Sequence, residues 1–458
     1  MKRIAHDLDK MNWGKRPCAL FVLCAATMIA TPAQTFTTLF TFDYTDGLAP
    51  IAGLVQATNG DFYGTTYNGG ANPNPTGYGG AGTLFKITPS GTLTTLYNFC
   101  AQTSVQANCT DGLNPYAGLV QATNGDFYGT TEFGGNANVL CFYGCGTVFK
   151  ITPSGTLTTL YRFCSQDGCT DGLAPFAGLV QATNGDFYGT TGAGGANTAV
   201  CSGYGVLVGG CGTVFKITPS GNLTTLHSFD ATDGLAPIAG LVQATNGEFY
   251  GTTSEGGANT AVCSGYGCGT VFKITPSGTL TTLHTFCSQG VPCADGYYPE
   301  TGLLQATHGN FYGTTSEGGA TGSGTVFNIT PSGALTSFCC ADGYGVSGLT
   351  QATNGEFLGT TAGGGANGDG TVFSLAVGLG SFVETQPSSG KVGVAVKILG
   401  TKLTGATSVT FNGTAAPFVV ASASEITTTV PTGATTGTVK VVTPGGTLSS
   451  NVPFRVLP

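Results

Sequence analysis

The sequence predicts an all-β chain, with six four-stranded sheets in succession followed by a small β-sandwich. Three observations predict it. A block beginning "GLVQATNGDFYGTT" at 53–66 recurs at Gly118 and Gly178, with close variants starting at Gly240, Gly302 and Gly348. After a loop of variable length, each block is followed by "GTVFKITPSGTLTTL" or a relative, starting at Gly82, Gly146, Gly212, Gly269, Gly324 and Gly370. The two ends of this array are incomplete in complementary ways, and the residues beyond it are of a different kind.

Within a unit, "GLVQAT", "DFYGTT", "TVFKIT" and "TLTTLYNF" are short runs rich in β-branched and aromatic residues, which suit a pleated surface. Asn-Gly in "TNGD" marks a hairpin, because a type I′ turn needs positive φ at both central residues. "TPSG" makes the second tight turn, with proline presetting φ and glycine relieving it. The strands are apolar or Thr-rich on both sides, as expected of sheets packed on two faces. Four antiparallel strands per unit of about 45–65 residues is the arithmetic of a β-propeller blade. "TFTTLFTF" (35–42) is a fourth strand with no first three before it, and the sixth unit stops at "GTVFSL" (370–375). The expected architecture is therefore a six-bladed β-propeller over 34–375, closed by pairing 35–42 with 370–375.

Residues 1–33 read as a secretory signal peptide. Lys2, Arg3, Lys10, Lys15 and Arg16 precede the apolar run "CALFVLCAATMIA" (18–30), and "TPAQ" offers a cleavage site after Ala33. The run is too short to span a bilayer as a helix. Cys24 follows "FVL", a poor lipidation site, so the expected fate is a cleaved, secreted protein, periplasmic or at the cell surface. Beyond residue 33 stand 10 basic and 21 acidic residues, net −11. Nucleic-acid binding needs a basic footprint and is disfavoured.

Fourteen cysteines follow the signal, an even number for an oxidising compartment. Between units they occur as Cys100 with Cys109, Cys164 with Cys169, and Cys287 with Cys293. Between strands 2 and 3 they occur as Cys141 with Cys145, Cys201 with Cys211, and Cys263 with Cys268. The crossovers "FDYTDG" (42–47) and "FDATDG" (229–234) lack both members of a pair. Cysteines that arrive and vanish in pairs are expected to be local disulfides. Zinc is the competing reading, but each pair would need two further ligands and none has a histidine nearby. "FCCADG" (338–343) reads as "FCSQGVPCADG" (286–296) with its interior deleted, giving an adjacent Cys339–Cys340 disulfide.

Carried by "GDFYGTT…GG…GTVFKITPSG", residues 35–375 resemble the GloVer tandem repeat of secreted bacterial proteins, and more loosely NHL-type propellers in strand order. This resemblance implies a location and an architecture, and no activity. Residues 381–458 resemble an IPT/TIG immunoglobulin-like domain through Gly400, Gly405, Phe411, Asn412, Gly413, Pro431 and the "TPGG" hairpin at 443–446. That resemblance implies a spacer or binding module, with "AVGLG" (376–380) as linker.

In an up-and-down blade the "TNGD" and "TPSG" turns share one end, while the strand 2–3 loops and the crossovers share the other. Long unequal loops on a rigid scaffold are where function usually sits. Residues 34–375 hold 5 basic and 19 acidic residues, net −14. At the turn end Asp61, Asp126, Asp186 and Glu248 face Lys86, Lys150, Lys216 and Lys273, so the excess acid belongs to the loop end. Each crossover carries Asp-Gly: Asp46, Asp111, Asp171, Asp233, Asp295 and Asp342. These could hold Ca2+ through oxygen ligands, or each could cap its own turn. No other cofactor is expected. Arg162 takes a strand position filled elsewhere by Asn98, Ser228 and Thr285, which argues against a uronate or phosphate anchor. Glu132, Glu255, Glu300, Glu317, Asp167 and Asp369 are the loop acids from which a glycosidase pair could be drawn. Tyr67, Tyr78, Tyr116, Tyr143, Tyr204, Tyr266, Tyr297, Tyr298 and Tyr344 are set among Gly, Asn and Ser as in adaptable recognition loops, and of these Tyr67, Tyr78, Tyr143, Tyr204, Tyr266, Tyr297 and Tyr298 are the candidate ligand-binding residues. The expected function is a non-catalytic secreted protein binding a glycan or other extracellular polymer or cell-surface partner. The alternatives are a polysaccharide-active enzyme and a purely structural envelope protein.

Overall fold

A computed structural model describes residues 38–457, apart from 58, 76, 78, 105–107, 202–208, 258–262, 264 and 340–342, and without the side chains of 199, 200 and 339. Its units are all-β. Units 1 to 5 each form a four-stranded antiparallel sheet in chain order. In unit 3 the strands are Val180–Gln181, Phe187–Thr191, Thr213–Ile217 and Leu223–Ser228. The first strand keeps only two residues of "GLVQAT" in the ladder. A bulge in strand 4 opposite Val214 and Phe215 recurs at the same place in units 1, 2 and 4.

The "FYGTT" strand explains how sheets stack. Adjacent residues of a strand point to opposite faces, so its Phe and Tyr serve two neighbours. Tyr63, Tyr128, Tyr188 and Tyr250 stack on Phe127, Phe187, Phe249 and Phe311 of the next unit, with ring centroids 4.0 Å apart. Tyr312 on Phe357 continues the series at 4.1 Å. The central glycine is required: a Cβ on Gly189 would stand 2.7 Å from the Phe215 ring. The two threonines are buried and bonded. Thr191 Oγ1 shares a hydrogen bond with Thr213 Oγ1 at 2.8 Å, and Thr190 Oγ1 donates to the Ala239 carbonyl of the next unit at 3.2 Å.

Unit 6 departs. Its crossover becomes a strand, Gly343–Val346, paired to a lengthened Phe357–Gly364. Among the described residues Thr371–Leu375 pairs with that strand alone, and 38–42 carry no strand. The outer apolar faces of the first and last units are correspondingly open. Leu54 is 53% exposed where its counterpart Leu179 is 8%, and Leu358, standing where other units have tyrosine, is 37% exposed.

The register also corrects the reading of "FCCADG". Phe338 pairs with Val326 as His284 pairs with Val271, and Cys339 pairs with Thr325 as Thr285 pairs with Thr270. Cys339 therefore takes the place of Thr285 at the end of a strand that lacks the bulge, not that of Cys287. Cys340 lies outside the described residues, and with it the Cys339–Cys340 bond.

At the turn end units 2 to 5 each clasp the next. Thr123, Thr183, Thr245 and Thr307 donate backbone N–H to Gln181, Gln243, Gln305 and Gln351 side chains at 3.1–3.3 Å. Lys86 meets Asp61 at 3.9 Å and Lys273 meets Glu248 at 3.3 Å. Unit 5 replaces both charges with a bonded Asn310 and Asn328, and unit 6 bonds Ser374 to Glu356 at 3.0 Å.

Residues 384–449 form two four-stranded sheets around Val396, Ile398, Val409, Phe411, Ile426, Val439 and Val441, all buried. Val377 and Leu379, before this sandwich, pack on the core shared by units 5 and 6.

Candidate ligand-binding face

At the loop end the crossover into each unit pairs with the segment after strand 2, through Leu113 with Phe133, Leu173 with Ala193, Leu235 with Glu255 and Tyr297 with Glu317. Six disulfides staple these loops: Cys100–Cys109, Cys141–Cys145, Cys164–Cys169, Cys201–Cys211, Cys263–Cys268 and Cys287–Cys293. Cross-linking removes loop entropy from the unfolded chain, about 2–3 kcal/mol for loops of this length. The Sγ atoms of Cys141, Cys145 and Cys164 lie within 4.8 Å of one another, but each is already committed to a disulfide.

The Asp-Gly aspartates serve their own crossovers. Asp111 is buried and accepts from the Tyr97 hydroxyl at 2.7 Å and from Ala101 N–H at 2.9 Å. Asp171 does the same with Tyr161 and Ser165. In units 3 and 4 a histidine replaces the tyrosine, with His227 on Asp233 at 2.7 Å and His284 on Asp295 at 2.8 Å. Asp46 accepts from Asp43 N–H at 2.9 Å, and the residue that matches Tyr97 in the repeat before it is Phe40, which has no hydroxyl to make the latch. Asp342 lies outside the described residues. His227 and His284 thus complete a latch from the end of strand 4 to the crossover.

The rest of the face divides in two. Across units 1 to 3 runs an aromatic strip: the Tyr67 and Tyr116 rings meet edge to face at 5.8 Å, and Tyr116 and Phe176 at 5.9 Å. Tyr116 is 47% exposed. The Tyr67 hydroxyl donates to Glu132 at 2.8 Å. Only 8% of Glu132 is exposed, and this burial pushes its carboxyl up to about 7. Burial and the neighbouring Glu132 also push the Tyr67 hydroxyl up.

Across units 4 and 5 the face is acidic. Glu255 and Glu300 are held above the usual carboxylate range, mainly by burial, then by Glu300 acting on Glu255 and Glu317 acting on Glu300. One carboxylate oxygen of Glu255 is buried without a partner among the described residues. The Tyr297 hydroxyl donates to Glu317 at 2.7 Å, which with burial pushes Tyr297 up to about 12. A cavity of about 680 Å3 opens here, lined by Tyr298, Glu300, Ser316, Glu317 and Tyr344 among others.

Of the tyrosines singled out from sequence, the structure brings Tyr297 and Tyr298 together at 5.0 Å and sets Tyr67 in the strip. Tyr143 and Tyr266 sit in separate loops, Tyr143 beside a 78% exposed Phe142. Tyr78 and Tyr204 lie outside the described residues. Sequence reasoning counted Tyr116 among the loop tyrosines without choosing it as a ligand residue, and missed Phe176. The signal available was their shared place after the crossover proline, held by Ile51, Tyr116, Phe176, Ile238 and Glu300 in turn.

The profile of the Gloeobacter/Verrucomicrobia repeat matches residues 26–207 and 199–417, and that of the IPT/TIG domain matches 381–456. No curated protein matches the chain. Among solved structures, a luciferin-regenerating enzyme is similar at 13% identity, covering 73% of this chain and 94% of its own, with a TM-score of 0.41. A putative gluconolactonase is similar at 12% identity, covering 73% and 92%, with a TM-score of 0.37. A fungal alcohol oxidase of the AA5 family, in complex with copper, is similar at 12% identity, covering 91% and 98%, with a TM-score of 0.39.

Proposed function

This chain belongs to the family of the Gloeobacter/Verrucomicrobia repeat, and from that premise we propose that it is an extracellular binding or scaffold protein whose loop face recognises a hydroxyl-rich polymer, a glycan first. The observation that carries this reading is the Tyr67–Tyr116–Phe176 strip with Glu132 beside it. Aromatic faces cover the apolar face of a sugar ring, and a fixed carboxylate with tyrosine hydroxyls orients its hydroxyls. The stapled loops lose less freedom when they bind.

Export after cleavage at Ala33 belongs to the same proposal, supported by the six disulfides. Among the described residues no helix is long and apolar enough to cross a membrane. Ring closure by 35–42 is proposed on the packing of Phe42. It meets Phe85 edge to face at 5.1 Å, much as Phe99, just after strand 4, meets Phe149 of the next unit at 5.3 Å. The domain limits 34–375 and 381–458 go with that closure.

A second reading, a polysaccharide-active enzyme, draws on Glu255 and Glu300, whose raised pKa values suit an acid partner in a carboxylate pair. A glycan-binding screen beside a hydrolysis assay on the same sugars separates the two. Binding without turnover supports the first reading, turnover lost in Glu300→Gln supports the second, and neither signal leaves a purely structural envelope protein.

A further inference from the structure

Unit 2 differs from its neighbours at the outer end of strand 4. In units 1 and 3 the side chain at that position accepts a loop amide: Ala71 N–H donates to Asn98 Oδ1 at 2.8 Å, and Ala196 N–H to Ser228 Oγ at 3.1 Å. The counterpart amide in unit 2, by its place after Gly134 and Gly135, is that of Asn136, and the side chain opposite is Arg162. Guanidinium carries donors only. Among the described residues Asn136 N–H has no protein acceptor, while its side-chain amide donates to the Arg162 and Phe163 carbonyls at 3.4 Å.

Arg162 is held but not neutralised. Its Nε donates to the Thr110 carbonyl at 2.7 Å, which fixes the plane of the guanidinium. No acid lies within ion-pair distance among the described residues, although 34–375 carry net −14. Arg162 and Asn136 border a cavity of about 510 Å3, with Ser104, Asn108, Thr110 and Gly135 also lining it. The Ser104 hydroxyl accepts from Asn108 N–H at 3.3 Å and retains its own proton to donate. The crossover that supplies this wall is stapled by Cys100–Cys109.

We infer that unit 2 carries an oxyanion-binding site, in which Arg162 and Asn136 N–H take a carboxylate or sulfate group where units 1 and 3 have an internal acceptor. Charge-assisted bonds from a guanidinium fork are the strong kind, and a preset fork loses little freedom on binding. The strand position of Arg162, which argued against an anion role in the sequence, becomes the argument for one. Where Asn98 and Ser228 close the loop, Arg162 opens it to a ligand. The site is separate from the aromatic strip and does not depend on the glycan reading.

Titration calorimetry on the full mature chain tests it, with inorganic sulfate and a hexuronate trisaccharide as separate probes at low salt. The expected result is saturable binding of at least one probe, weakened at least tenfold in Arg162→Asn with the thermal melt and disulfides unchanged, since asparagine restores the unit 1 arrangement. Arg162→Lys, which keeps the charge but not the fork, should bind more weakly than wild type, and it carries the test if the asparagine variant fails to fold. Sulfate alone binding would mark a free-anion site, and uronate alone a sugar-acid site. No saturable binding of either probe by wild type, or equal binding by the variants, overturns the inference.

Discussion

The two ends of the sheets are built from the same repeats and have opposite characters. At the turn end, Gln181, Gln243, Gln305 and Gln351 make one clasp over and over, unit 5 replaces both charges of the pair together at Asn310 and Asn328, and in unit 6 the Ser374 hydroxyl that replaces the lysine still bonds Glu356. At the loop end the same structural position holds Ile51, Tyr116, Phe176, Ile238 or Glu300, and one strand position holds Asn98, Arg162, Ser228 or Thr285. Repetition with compensation is what packing requires. Variation without compensation leaves groups such as Glu255, Tyr116 and Arg162 with chemistry that the fold does not consume. The contrast teaches where to look in a repeat protein: at positions where sister units disagree and no partner changes with them.

The contrast can be broken from its uniform side first. Tyr188→Ala removes a ring that is 1% exposed and stacked between units, so it should cost about 3–5 kcal/mol. A denaturant melt checks this, and bound-ligand contacts in the folded fraction should be unaffected. Glu132→Gln sharpens the other side. With a folded pKa of about 7 against an ordinary glutamate value of 4.5, Glu132 favours the native state fully below about 4.5. That contribution is lost as pH rises towards 7, because the unfolded chain ionises first. Wild-type stability should therefore fall relative to Glu132→Gln across this window, by on the order of 1 kcal/mol per pH unit at most. Asp111, Glu255 and Glu300 share the sign, so the difference between the two proteins, measured by urea melts at pH 4.5 and 7.5, is the quantity to read. The smallest effect is expected from Lys273→Ala, whose partly buried pair with Glu248 is worth a few tenths of a kcal/mol to about 1 kcal/mol. A loss well above that would mean the turn end does more than close hairpins.

Much of this fold was legible because its local signals agree. "TNGD" and "TPSG" can hardly be anything but tight turns, and the Phe-Tyr dipeptide in "FYGTT" assigns one ring to each neighbouring sheet by strand alternation alone. The paired cysteines declared themselves by vanishing together. What stayed hidden depends on register and on distance across units. The register of strand 4 in unit 5, which lacks the bulge, sets Phe338 and Cys339 at the places of His284 and Thr285, two before where "FCCADG" seems to put them, and no local residue signals that the bulge is absent. The latch from His227 to Asp233, the Tyr67–Glu132 bond across 65 residues and the lack of an acceptor for Asn136 N–H among the described residues are three-dimensional facts. Composition pointed to loop tyrosines in general. It could not say that Tyr67 would join Tyr116 while Tyr143 would stand apart.

The measurement that tests the two-ended account most directly is the affinity of the folded chain for a glycan found in the screen, taken for two variants matched in number of changes. Tyr67→Ala with Tyr116→Ala alters the loop end, and Lys86→Ala with Lys273→Ala alters the turn end. The account predicts at least a tenfold loss in the first, the scale of aromatic anchors in binding sites, and less than a twofold change in the second. Equal affinity in the tyrosine variant, or a loss confined to the lysine variant, would contradict it.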